Sequence, residues 1–203
     1  MDSSERNRYR AFLLNDSKSP MRGNARLLFG PLAGVILGVG VAGLALMIPG
    51  YGHVQQTVSE IGEVGSPARV SFARMLCCVA VCNLVFASAV RNLSIEAGHS
   101  PLAAYFIAFM AISAAGVGIF AYPHPLHNVF GLSEIIGYQA PAVLALTWRR
   151  DARARTLVAI SWAAFALVWV AIGLNMSSMD RQSQLWAHVK PNFGLAQRAL
   201  FVA

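Results

Sequence analysis

The stretch LLFGPLAGVILGVGVAGLALMI, residues 27–48, decides the fold: 22 residues pass without one charged side chain. A helix that crosses a bilayer needs about 20 mainly apolar residues, so Leu27 to Ile48 predicts a membrane span. Four more blocks of the same kind follow, Val70 to Val90, Leu102 to Tyr122, His127 to Trp148 and Thr156 to Asn175. A sixth begins near Phe193 and has 11 residues before Ala203, roughly half a bilayer at about 1.5 Å per residue. Either the chain naturally continues or the last element is a half-helix. The expected fold is therefore all-α, a multi-pass transmembrane helical bundle of five full spans plus a truncated sixth. Residues 1–26 read as a mobile basic tail and 27–203 as a single membrane domain.

Composition agrees. The chain is 56% apolar and 12% charged, with mean hydropathy +0.53, whereas soluble domains carry about a quarter charged residues. Long apolar blocks exclude a soluble enzyme fold, a disordered chain and an outer-membrane barrel, whose strands alternate. The net charge of +7 comes mostly from residues flanking the blocks, where membrane topology puts them, so nucleic acid is not an expected partner. The 26 residues ahead of the first span, with no convincing cleavage site after it, mark a retained anchor.

Orientation follows from Lys and Arg in the flanks. The tail (Arg6, Arg8, Arg10, Lys18, Arg22, Arg26), Arg91, and Arg149, Arg150, Arg153 and Arg155 put eleven on one side; Arg69, Arg181 and Lys190 put three on the other. This predicts a cell inner membrane protein with a cytoplasmic N-terminus and outward connections at 49–69, 123–126 and 176–192.

Four of the five histidines, His53, His124, His127 and His188, then fall outside, with Glu60, Glu63 and Asp180. In the first outer loop Val54, Val58, Ile61 and Val64 share one helical face, opposite His53, Gln56, Glu60 and Glu63. That pattern predicts an amphipathic helix, lying on the membrane surface or closing over a pocket as a lid. Pro125 suits the first turn of the fourth span and holds His124 extended before it. From His127 the helical period carries to Glu134 and Tyr138. Glu134 lies about 10 Å deep, where an ionised carboxylate needs a partner or water. Arg74 and Arg198 are at similar depth, so an ion pair with either, or a polar cavity walled by all three, is expected. Pro141 frees the carbonyl of Gly137 and predicts a kink.

The polar set leaves several chemistries open. Ligand-binding candidates are His53, Glu60, Arg74, His124, His127, Glu134, Tyr138 and Arg198. Acid-base candidates are Glu60, His127 and Glu134. Metal-ligand candidates are His53, His124, His127 and His188, with Glu60 or Glu134 as an oxygen ligand, although their spacing is no known signature. No cofactor is strongly implied, and four of the spans lack the inward histidines that haem would use. Ser59 and Ser133 are near histidines in topology but carry no nucleophile elbow. Cys77, Cys78 and Cys82 sit mid-bilayer, where packing explains them. Gly30, Gly34 and Gly38 make a smooth stripe that admits a second helix.

Val58-Ser59-Glu60-Ile61-Gly62, Gly118-Ile119-Phe120 leading through Pro123 to His127, and Gly194-Leu195-Ala196-Gln197-Arg198 together resemble a prokaryotic six-helix membrane protein family catalogued as domain of unknown function 998. The resemblance spans nearly the whole membrane region. It implies a six-helix bundle with both ends cytoplasmic and no assigned reaction; the chain departs from that pattern in its last crossing, which stops at Ala203. Three functions fit the sequence: binding of a lipid head group or small amphiphile, with the arginines as anion contacts; a membrane-embedded hydrolase using the outer His/Glu cluster, with or without a metal; and an accessory subunit docking through the glycine stripe.

Overall fold

The computed structural model describes residues 25–176 and 184–202. Most of the tail expected to be mobile, and Asp180 and Arg181, lie outside the described residues. Helix α1 (Phe29–Ala45) is entered through a 3-10 turn at Ala25–Leu28, and a single turn, α2 (Val58–Ile61), follows in the first loop. The next helices are α3 (Arg69–Glu96), α4 (Leu102–Ile119), α5 (Pro125–Gly137), α6 (Ala140–Trp148) and α7 (Arg155–Met176). Short α8 (Gln184–Val189) leads through Lys190–Asn192 into α9 (Phe193–Val202).

Five helical stretches are long and apolar enough to cross a membrane: Ala25–Ala45, Arg69–Glu96, Leu102–Ile119, Pro125–Trp148 and Ala152–Met176. They match the five expected spans to within four residues at every end but one, the second helix running six residues past Val90. The fourth is broken at Tyr138 and Gln139, three residues before Pro141, because the proline cannot donate to Gly137. Large apolar side chains such as Val35, Val81, Ile112, Ile160 and Val170 face outward, as lipid-facing surfaces require.

Packing runs in a ring. Helix α3 contacts α1 and α4, α4 contacts α5 and α6, α6 contacts α7, and α9 closes the gap between α7 and α1 while touching α2. Glycines set several of these approaches. A Cβ at Gly116 would enter the ring of Phe130, and one at Gly137 would strike Met110. In the predicted stripe, Gly30 accepts the ring of Phe86, with a Cβ only 3.1 Å from it, while Gly34 and Gly38 have nothing within 4 Å. Asn175 donates to the carbonyls of Ala171 and Ala196, each at 2.8 Å, tying α7 to α9.

The amphipathic helix expected across the first loop is corrected to one helical turn. Val58 and Ile61 are buried, but Val54 and Val64 are exposed. Thr57, extended at φ −77° and ψ 157°, starts the turn with a capping box in which Glu60 is the third helical residue. The chain then leaves at Gly62 and turns at Gly65, whose φ of +97° suits glycine.

Candidate functional site

The site is built where α2, the α4–α5 turn and α9 meet. Glu60 is consumed in shaping the loop. Its Oε1 accepts the Thr57 N–H and the Thr57 hydroxyl, both at 3.0 Å, and its Oε2 accepts the Gln56 side-chain amide at 2.9 Å. Ile61 is fully buried, and the ring of Phe72 fills the space beside Gly62. With its two apolar residues facing in, this turn places Ser59 at the mouth of the bundle, partly accessible.

His127 meets it from α5. His124 caps that helix, its Nδ1 accepting the Leu126 N–H at 3.1 Å, and Pro125 occupies the first turn as expected. One turn in, His127 is buried, with Nδ1 at 2.9 Å from the carbonyl oxygen of Phe120 and 3.2 Å from that of Val117. Both carbonyls lie at the C-terminal end of α4, where a helix leaves acceptors without partners. Carbonyls only accept, so Nδ1 carries a proton, and in the neutral ring this leaves the lone pair on Nε2. Ser59 Oγ is 3.3 Å from that Nε2, where its hydroxyl can donate to the neutral ring.

Helix α9 locks the loop in place. A Cβ at Gly194 would run into the carbonyl oxygens of Gln56 and His53, so only glycine lets α9 come this close. Gln197 Oε1 accepts the Val58 N–H at 2.5 Å. Arg198 donates through Nη1 to the carbonyls of His53 (2.6 Å), Gln56 (2.9 Å) and Gly194 (2.9 Å), and through Nη2 to the Tyr51 hydroxyl at 2.7 Å. Tyr51 in turn donates to the Thr57 carbonyl at 2.7 Å. Burial raises the Tyr51 phenol above its usual range, against the opposing pull of Arg198.

These elements border two partly open spaces that share part of their lining. An inner cavity of roughly 450 Å³ runs between the helices, lined by apolar side chains that include Leu37, Leu76, Val117 and Ile172. A vestibule of roughly 980 Å³ lies above it and is lined by Thr57, Tyr122, Trp186 and Lys190. Ser59, His127, Asn128, Phe193 and Gln197 line both, so they form the neck. Glu134 and Tyr138 line the inner cavity deeper down, the Tyr138 hydroxyl donating to Glu134 Oε2 at 2.9 Å.

His127, Glu134 and Tyr138 therefore share one cavity, as their spacing predicts. The expected arginine partners do not come to it. Among the described residues the one carboxylate with a basic side chain within 4.0 Å is Asp151, facing His99. Arg198 turns its Nη donors to carbonyls and to the Tyr51 hydroxyl at its own level, while its buried Nε has no partner among the described residues, and Arg74 lies in a separate groove with Arg69, Cys77 and Gly118. The histidines disperse too. His53 packs edge-on against Tyr51, His124 caps α5, and His188 binds the Gln184 carbonyl. Among the described residues no three His, Cys, Asp or Glu side chains gather to hold a metal. Of the two serines, Ser133 is bonded to Ser113 at 2.8 Å rather than to a histidine. What sequence reasoning missed is Gln197. The capping box, by contrast, is legible in Thr57-Val58-Ser59-Glu60.

A family model described as "Protein of unknown function (DUF998)" matches residues 31–203. No curated protein and no solved structure matches the chain.

Proposed function

The chain belongs to the DUF998 family of proteins of unknown function, and we propose that this member binds a single-chain amphiphile. Its apolar chain lies in the inner cavity and its polar head in the vestibule. One observation carries the reading: the inner space is apolar over most of its wall, while Ser59, His127, Asn128 and Gln197 gather at the neck. Its volume of roughly 450 Å³ is within the range of about 300–1,000 Å³ typical of small-molecule sites. Trp186 and Lys190 supply an aromatic wall and a cation to the head.

In this reading the vestibule opens on the outer side of the cell inner membrane and the N-terminus is cytoplasmic. Cysteines placed at exposed Gln55 and Arg153, in a background without the native thiols, test it: the first should react with an impermeant reagent in intact cells and the second only after lysis. The opposite pattern inverts the orientation.

Binding is tested at Gly131, which lines the inner cavity and whose Cβ would meet only Val117, at 4.0 Å. Gly131→Leu should fill the cavity without disturbing the backbone. Purified protein should retain a fluorescent dodecanoate near one per chain, and Gly131→Leu should retain little at an unchanged melting temperature. Equal retention by both would place any binding outside this cavity and overturn the reading.

A further inference from the structure

We infer that Ser59 is a nucleophile with His127 as its general base, and that the chain cleaves a carboxylic ester in the amphiphile whose binding is proposed above, on which this inference rests. The arrangement has the three parts that serine activation needs: a hydroxyl, a base within reach, and a third group that orients the base. Ser59 Oγ stands 3.3 Å from His127 Nε2, and the carbonyls of Phe120 and Val117 hold the opposite nitrogen. Apart from the contact to Ser59, Nε2 has no partner among the described residues, so its lone pair is committed to that hydroxyl.

Glu60, the neighbouring carboxylate, is not placed as the base: its oxygens accept from Thr57 and Gln56, and its side chain makes no hydrogen bond to Ser59 among the described residues. Position adds to the case. Ser59 lies at the neck, where a chain in the inner cavity joins a head in the vestibule, and in an acyl ester that junction is the ester carbonyl. Gln197 lines the same neck. Its Oε1 is fixed by the Val58 N–H, which makes Nε2 the donor of that amide. That donor has no partner among the described residues and is suited to an oxyanion.

The reaction balances with water as co-reactant. Ser59 Oγ bonds to the carbonyl carbon while its proton passes to His127 Nε2. The ester C–O bond then breaks, and the departing alkoxide takes that proton and leaves as an alcohol. Water from the vestibule attacks the acyl-serine, gives a proton to His127 Nε2, and the proton returns to Ser59 Oγ as the carboxylic acid departs. Nothing is oxidised or reduced.

The test is exposure of purified protein in mild detergent to a fluorophosphonate bearing a linear alkyl chain, followed by intact-mass and peptide mapping. Retention of fluorescent dodecanoate by the wild type is measured in parallel. One adduct on Ser59, absent in Ser59→Ala and formed about 100-fold more slowly in His127→Gln, supports the inference. So does release of 4-nitrophenol from 4-nitrophenyl decanoate by the wild type but not by Ser59→Ala. The wild-type result stands whether or not a variant folds. Dodecanoate retained with no adduct on Ser59 overturns the nucleophile and leaves the binding reading intact. Failure of both overturns both. Labelling of a folded His127→Gln at the wild-type rate overturns the dyad.

Discussion

At the end of the bundle that carries residues 46–68, Glu60, His127 and Arg198 each hold three or more polar groups, a little over half of them backbone N–H or carbonyl groups. At the opposite end, His99 and Asp151 form a single pair at 3.2 Å, with His99 against the ring of Trp148 at 4.3 Å between centroids. The difference follows from what each end must satisfy. The first loop and the α4 terminus expose many carbonyls beneath α9, and buried carbonyls need donors. The far end connects α3 to α4 and α6 to α7 by short turns, capped by Gly98 at φ +72° and by Asp151, whose carboxylate accepts the Arg153 N–H at 2.8 Å. Interlocking one end fixes a serine beside a histidine and leaves space below them. The other end only joins helices.

The interlock fails first at Arg198. Arg198→Met strips donors from three carbonyls and the Tyr51 hydroxyl at once. Hydrogen bonds to charged groups contribute about 1.5–3 kcal/mol each, and losses of this kind do not add fully. A destabilisation of about 3–5 kcal/mol is expected, read as a large fall in melting temperature in detergent, with Arg198→Lys recovering part. A shift as small as that of a far-end substitution would show that the two ends are not unlike.

Gly194→Ala comes next. The added methyl meets two backbone oxygens rather than flexible side-chain tips, so α9 must lift from the loop at a cost of about 1–3 kcal/mol. Gly34→Ala is the comparison, because nothing lies within 4 Å of its Cβ. Its melting temperature should match or exceed that of the wild type, since alanine favours a helix over glycine. If α9 lifts, retention of fluorescent dodecanoate falls in Gly194→Ala alone.

A smaller effect is expected at Glu134→Gln. With no arginine within 4.0 Å among the described residues, no described partner is orphaned, and the Tyr138 hydroxyl can donate to the new amide oxygen as it did to the carboxylate. The change in stability should stay below about 1 kcal/mol, and Arg74→Met should neither worsen nor rescue it. Coupling between the two in a double-mutant cycle would revive the ion pair expected from their depths.

That expectation marks how far the sequence is legible. Apolar blocks locate all five long helices, because nothing but a span has use for such runs, and Pro141 locates the break. The helical period places His127, Glu134 and Tyr138 on one wall for the same reason. Depth along a helix, however, fixes height and not azimuth. Arg74 and Glu134 sit at comparable heights yet face different spaces, and a single sequence holds no record of rotation about the ring. In the first loop the apolar spacing of Val54, Val58, Ile61 and Val64 suggests one continuous helix, but Thr57 with Glu60 starts the helical turn only at Val58 and Gly62 ends it. The pairing of Ser59 with His127 joins residues 68 apart, and only packing of the loop against α5 creates it.

The smallest effect belongs to the far end. Asp151 is held below the usual carboxylate range chiefly by the Arg153 N–H and then by His99. A carboxyl lowered on folding contributes stability above the ordinary carboxylate range, and that contribution is lost as pH falls through its folded value. Asp151→Asn should therefore melt slightly below the wild type near neutral pH, with the gap closing in acid. His99→Gln should produce only part of that gap, because the larger cause is a backbone N–H that the substitution leaves in place. Ionic strength separates the contributions further, since an accessible ion pair is screened by salt while the backbone hydrogen bond persists. A His99→Gln gap equal to that of Asp151→Asn, and equally sensitive to salt, would show that the ion pair carries this end and that Asp151 is more than a cap on the turn into α7.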